Sequence, residues 1–85
     1  MIIRTTKKFD KQYAKLTEKN KKFFKIRMAV FKPDPFDARL RNHALKGKYL
    51  GYRSIDITGD IRALYYIKDN AVIIFAFIGS HSQLY

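Results

Sequence analysis

Eight consecutive residues, Ala71–Ile78, read AVIIFAFI and are apolar at both odd and even positions. A strand sends alternate side chains to opposite sides of its sheet, so a run without alternation needs cover on both sides. Such a segment belongs inside a sheet, and in 85 residues the rest of the chain has to supply that cover. A chain this short buries only about 60% or slightly more of its unfolded surface, which leaves little room for a deep cofactor pocket. One domain spanning residues 1–85 is expected, since no repeat, low-complexity tract or linker divides the sequence.

The remaining elements follow from period and punctuation. Met1–Thr5 is short and β-branched and reads as a first strand. Thr6 can cap a helix whose buried stripe is Phe9, Tyr13 and Leu16. A second helix is expected from about Asn20 to Phe31, with Phe23, Phe24, Val30, Phe31 and the stem of Arg27 on its inner face. Lys32–Pro35, Lys-Pro-Asp-Pro, ends it, because proline lacks an N–H and crowds the preceding turn. Phe36–Leu50 reads as loop with one helical turn at most. Gly51–Ile57 then alternates, Ile55 and Ile57 facing one way and Tyr52, Ser54 and Asp56 the other. Thr58–Asp60 supplies a turn, Ile61–Ile67 a strand, and Lys68–Asn70 a further turn into the apolar run. The expected fold is α+β, two N-terminal helices packed on a four-stranded, mostly antiparallel sheet.

The formal charge is +11 and is unevenly spread. Met1–Leu50 holds 15 Lys and Arg against 4 Asp and Glu, whereas Gly51–Tyr85 holds 3 against 3. The first region carries the electrostatic field, which favours a polyanionic partner such as RNA or an acidic protein segment. The second carries the candidate chemistry. With no cysteine there is neither a disulfide framework nor a thiolate site. No apolar run approaches the roughly 20 residues of a membrane span, and no signal peptide is evident, so a cytoplasmic protein without membrane partners is expected.

Both histidines, His43 and His81, lie in the stretch from Asn42 to Tyr85, with Arg53, Asp56, Asp60 and Arg62 between them. That stretch contains His-x-Leu-x-Gly at His43, Leu45 and Gly47, Gly-Tyr-Arg at Gly51–Arg53, and Gly-Asp at Gly59 and Asp60. It continues with Arg-x-Leu-Tyr at Arg62–Tyr65 and Gly-Ser-His at Gly79–His81, before Leu84 and Tyr85. In order and spacing these pieces resemble the RelE/ParE superfamily of bacterial type II toxins, and within it the YafQ-like branch of mRNA interferases. The resemblance covers about the C-terminal half, and the N-terminal half fits by architecture.

The resemblance implies a toxin of a toxin–antitoxin system that cleaves mRNA on the ribosome, with a cognate antitoxin, the ribosome and mRNA as partners. Cleaving RNA without a metal needs a base for the 2′-hydroxyl, positive charge on the phosphate and an acid for the leaving oxygen. His81 is the foremost acid/base candidate, because imidazole titrates near neutral pH. A C-terminal histidine bonded to a carbonyl is the plainer alternative. His43 could be the second acid/base or a nucleobase contact, and equally a solvated loop residue. Asp60 could orient or deprotonate a neighbour, although Gly-Asp is ordinary turn composition. Arg62 matches the position at which RelE-like toxins place an arginine on the phosphate, a task suited to a guanidinium. Lys46, Lys48, Arg53 and Tyr85 are candidate RNA contacts, while Arg53 shares parity with Ile55 and Ile57 and could lie beside the core instead. No HxH, HxxxH or paired-carboxylate spacing suggests a metal, and no cofactor is expected.

Three positions depart from the family pattern: Phe77 stands where an arginine is usual, Asp56 where a histidine is usual, and Ile61 where an aromatic is usual. Arg62 is a candidate substitute for the missing arginine. These departures leave a catalytically weak toxin open. Two further alternatives stand beside it: a ParE-like toxin that binds gyrase, which shares the expected fold and basicity, and a module that only binds RNA and antitoxin.

Overall fold

The computed structural model describes residues 1–85. Ile2–Thr5 is β1, followed by α1 (Lys7–Ala14) and α2 (Glu18–Phe31). Two 3-10 turns, Ala38–Leu40 and Gly47–Tyr49, flank the two-residue strand β2 (His43–Ala44). The chain then forms β3 (Arg53–Asp56), β4 (Ile61–Lys68), β5 (Val72–Ser80) and a last short helix, α3 (His81–Leu84).

Both N-terminal helices start at threonine caps. Thr6 Oγ1 accepts from Phe9 N at 3.0 Å and Thr17 Oγ1 from Asn20 N at 3.1 Å, which satisfies donors that a helix start leaves open. The second cap puts the start of α2 at Glu18, slightly before the expected Asn20.

The sheet has five strands in the order β1-β5-β4-β3-β2, not the expected four. β1 runs parallel to β5, with Ile2 opposite Val72 and Thr5 opposite Phe75, and the other pairings are antiparallel. β2 is the extra strand, pairing His43 with Ser54 and Ala44 with Arg53; two residues cannot display a period. α3 was also unexpected. It begins with a capping box in which Ser80 Oγ accepts from Gln83 N and Gln83 Oε1 accepts from Ser80 N. Gly79 makes room for that box, since a Cβ there would lie 2.9 Å from Gln83 Oε1.

The apolar run is covered on both sides, with a change of phase inside it. Leu64 pairs with Phe77 but Tyr65 pairs with Phe75, so Ala76 is an extra residue, a β-bulge. Ile73 and Phe75 before the bulge and Ile78 after it therefore all join the core under the helices. Phe77 turns to the other face, against Tyr49 and Tyr52.

β1 ends at Thr5, so β5 has no strand partner on that side beyond Phe75. Side chains at the start of and within α1 complete it: Thr6 Oγ1 donates to Ala76 O at 3.0 Å and Gln12 Oε1 accepts from Ile78 N at 2.9 Å. Buried backbone groups are thereby paired without a further strand. Phe75 is fully buried, with Phe9, Phe24, Phe31 and Tyr65 at ring-centroid distances of 5.3–6.2 Å. Replacing Phe75 by Ala is expected to cost about 3–5 kcal/mol, a large share of the roughly 5–15 kcal/mol typical of a folded domain. Urea denaturation measures this; a loss below about 1 kcal/mol would remove Phe75 from the centre of the core.

Candidate active site

The β3–β4 turn is tight because Ile61 O accepts from both Ile57 N and Thr58 N. Thr58 Oγ1 in turn accepts from Asp60 N and Ile61 N at 3.2 and 3.0 Å. This leaves Asp60 exposed, its carboxylate free of protein partners. The end of β5 returns to the same place, where His81 N donates to Asp60 O at 3.2 Å. His81 is the first residue of α3; its ring is exposed, lies 4.7 Å from that of Tyr85 and makes no protein hydrogen bond. The fold thus brings Asp60 and His81 together through the backbone, and His81 and Tyr85 through their rings.

Arg62 lies opposite Gly79 and Asp56 in the sheet register, on the face turned away from the two long helices. Its Nε is 3.0 Å from Asp56 Oδ1, and its Nη1 donates to Thr58 O at 3.0 Å. Arg41 Nε approaches the other oxygen of the same carboxylate, Oδ2, at 3.6 Å. Nη2 of Arg62 makes no protein hydrogen bond, so the guanidinium keeps donors for a ligand.

His43 sits at the far edge. Its row across the sheet runs His43, Ser54, Leu64, Phe77, so three strand spacings, roughly 14 Å, separate it from β5. Paired residues share a face, which puts His43 on the same side as Arg62. Its Nδ1 donates to Arg41 O at 2.9 Å, which makes Nε2 the acceptor of the neutral ring.

Aromatic rings fill the space between these groups. Tyr49 packs against Tyr52, Phe77 and Tyr85 and donates its hydroxyl to Leu84 O at 2.7 Å. Tyr52 also meets Tyr66. Lys48 Nζ lies 5.1 Å from the Tyr49 ring and Lys8 Nζ 5.9 Å from that of Phe77, while Lys46 is exposed just before the second 3-10 turn. Ammonium groups over open aromatic faces suit a chain of phosphates and bases.

Arg53, one of the expected RNA contacts, is placed elsewhere. Its Nε donates to Asn42 Oδ1 at 2.8 Å and its guanidinium covers the Phe36 ring at 5.1 Å. Asn42 Nδ2 reaches Tyr65 Oη at 2.7 Å and Pro35 O at 2.9 Å. Arg53 therefore fastens the proline-containing loop to the helix-facing side of the sheet.

Arg41 carries no functional mark in the sequence, and Asp56 stands out there only as a departure from the family pattern. The signal was present, because Asp56 and Arg62 are equidistant from Gly59, and a hairpin closed about that turn pairs them. Arg41 carried no such mark. It lies in the left-handed region, φ +50°, after a 3-10 turn whose cap, Asp37, is chelated by Arg39. Hydrogen bonds from the Arg39 side chain hold the Asp37 carboxyl well below the usual carboxylate range. Ser54, fully buried between His43 and Leu64, has a hydroxyl with no hydrogen-bond partner. No group of three His, Cys, Asp or Glu residues is arranged to hold a metal ion. No helix is long and apolar enough to cross a membrane.

The fold recurs among solved toxins. A copper-bound mutant toxin from Helicobacter pylori has 27% identity and a TM-score of 0.74, with 100% of this chain and 99% of that one covered. The toxin in an Escherichia coli DinJ–YafQ toxin–antitoxin complex has 24% identity and a TM-score of 0.76, with coverage of 98% and 94%. A YoeB/ParE toxin from Agrobacterium tumefaciens has 20% identity and a TM-score of 0.78, with coverage of 95% and 99%. No curated protein sequence matches significantly. The model of a family described as the bacterial toxin of type II toxin–antitoxin systems, YafQ, matches residues 1–85. The chain belongs to that family.

Because Arg53 braces a loop, Arg53→Ala is expected to lower stability by about 1–2 kcal/mol, through lost packing and an unpaired Asn42. Exposed Lys46→Ala should stay within about 0.5 kcal/mol. Thermal or urea melts of the two variants check this, and equal effects would contradict the assignment.

Proposed function

We propose that this toxin is a metal-independent endoribonuclease that cleaves mRNA on the ribosome, residues 1–85 acting as one domain. The observation that carries the reading is the placement of His81, Asp60 and Arg62 at one end of the aromatic face. A strongly basic first half is available to hold RNA. In this reading the 2′-hydroxyl adjacent to the scissile phosphate loses its proton as its oxygen attacks phosphorus. Arg62 stabilises the charge that builds on the non-bridging oxygens. A protonated group then delivers a proton to the departing 5′-oxygen, leaving a 2′,3′-cyclic phosphate. His81 and Asp60 take the two proton-transfer roles. His43, on the edge strand, contacts a neighbouring nucleotide, and Lys46, Lys48 and Tyr85 hold its phosphates and base.

The regulator in this reading is a cognate antitoxin with an acidic amphipathic segment that folds on this basic surface. The toxin–antitoxin complex of the E. coli relative supports that partner class. A second reading, a toxin that binds its target without chemistry as ParE-like gyrase poisons do, is favoured by one observation: Asp56 partly neutralises Arg62.

Primer extension on a reporter message after induction separates the two. New 5′ ends are expected with the unaltered chain, and His81→Gln is expected to reduce their formation by about 100-fold or more. Growth arrest without new 5′ ends, persisting in His81→Gln, would establish the binding toxin instead. Adding a transition-metal chelator to a reconstituted translation reaction held at fixed free magnesium should leave cleavage unchanged.

A further inference from the structure

The Asp56 carboxylate lies between two guanidiniums, Oδ1 3.0 Å from Arg62 Nε and Oδ2 3.6 Å from Arg41 Nε. A phosphodiester also presents two anionic non-bridging oxygens, and guanidiniums recognise carboxylate and phosphate with the same donors. The side chains of Asp56 and Arg62 are only 13% and 18% exposed, whereas that of Arg41 is 78% exposed. One wall of the cluster is therefore fixed and the other opens to solvent. The fixed wall is tethered by Thr58 O on Arg62. The open wall stands on a non-glycine residue held at φ +50°, a conformation uncommon for such residues and concentrated at functional positions. Arg41 O also anchors the ring of His43.

The geometry points to a phosphate-binding clamp made by Arg41 and Arg62, which Asp56 occupies as an internal stand-in until an RNA phosphodiester displaces it. Arg41 thereby supplies the second cation at a site where Phe77 provides none. The inference rests on the nuclease reading only in taking RNA as the ligand; its chemistry is that of anion exchange, with no bond made or broken.

The test uses a 2′-O-methyl RNA hexanucleotide, which cannot be cleaved, so its outcome is independent of the primer-extension result. Asp56→Asn should tighten binding by about fivefold or more at low salt. Asp69→Asn makes the same change in net charge at an exposed left-handed turn position, φ +52°, and should change binding by less than about twofold. Arg41→Gln should weaken binding and lower the salt slope by about 1. In the unaltered protein, NMR titration with the same hexanucleotide should move the Asp56 carboxyl carbon together with the Nε–H signals of Arg41 and Arg62. The clamp is overturned if Asp56→Asn tightens binding no more than Asp69→Asn does, or if Arg41→Gln leaves affinity and slope unchanged. An Asp56 carboxyl signal that stays fixed while RNA binds overturns it as well, and that measurement decides the matter should Asp56→Asn not fold.

Discussion

The extra residue at Ala76 is the constraint from which the rest of the structure follows. Without it, strict alternation from Ile73 and Phe75 would carry Phe77 into the core and Ile78 out of it. With it, Phe75 stays among Phe9, Phe24, Phe31 and Tyr65, Ile78 joins the core, and Phe77 is released to the second face. One residue thus lets a single strand serve two apolar layers out of phase. β1 pairing stops at Phe75, next to the bulge, and Thr6 and Gln12 take up the edge beyond it. The aromatic face beside His81 exists because Phe77 has been turned toward it.

Charge is organised differently. The lysines of α1 and α2 have few acids near them; one long-side-chain pair, Lys21 with Glu18, is exposed and such pairs contribute little. Around Asp56, by contrast, the charges are placed by neighbours: Arg62 by Asp56 and Thr58, and Arg41 by Asp56. A diffuse field and a fixed cluster do separate jobs, the first acting over about a Debye length and the second at contact.

Much of this was legible in the residues. Thr6 with Phe9, the break at Lys32–Pro35 and the alternation about Ile55 each rest on local chemistry, and each element stands where that chemistry places it. Arg53 lies on the parity of Ile55, beside the core. What stayed hidden depends on partners remote in sequence: β2 on Ser54 and Arg53, the bulge on Leu64 and Tyr65, and the parallel pairing of β1 on Val72–Phe75. α3 is the exception, since Ser80-x-x-Gln83 is a local capping signature. The candidate site divides the same way. Asp60, Arg62 and His81 are visible as residue types in a pattern, while the link from Arg41 to Asp56 required the path of a loop.

The pairing of β1 with β5 also orders events in time. Residues 2–5 leave the ribosome first, yet their partners, 72–75, and the acceptor of Thr6 at Ala76 are made some 70 residues later. α1 is held in place by the same late residues. During synthesis the first strand therefore waits, unpaired, for nearly the whole chain, and its loop can close only after β5 emerges. Because Asp60 and His81 meet across that final strand, a partly made chain has the basic helices but no assembled site. The contact between Asp60 and His81, in a fold wired this way, is deferred until translation of the protein itself is all but complete.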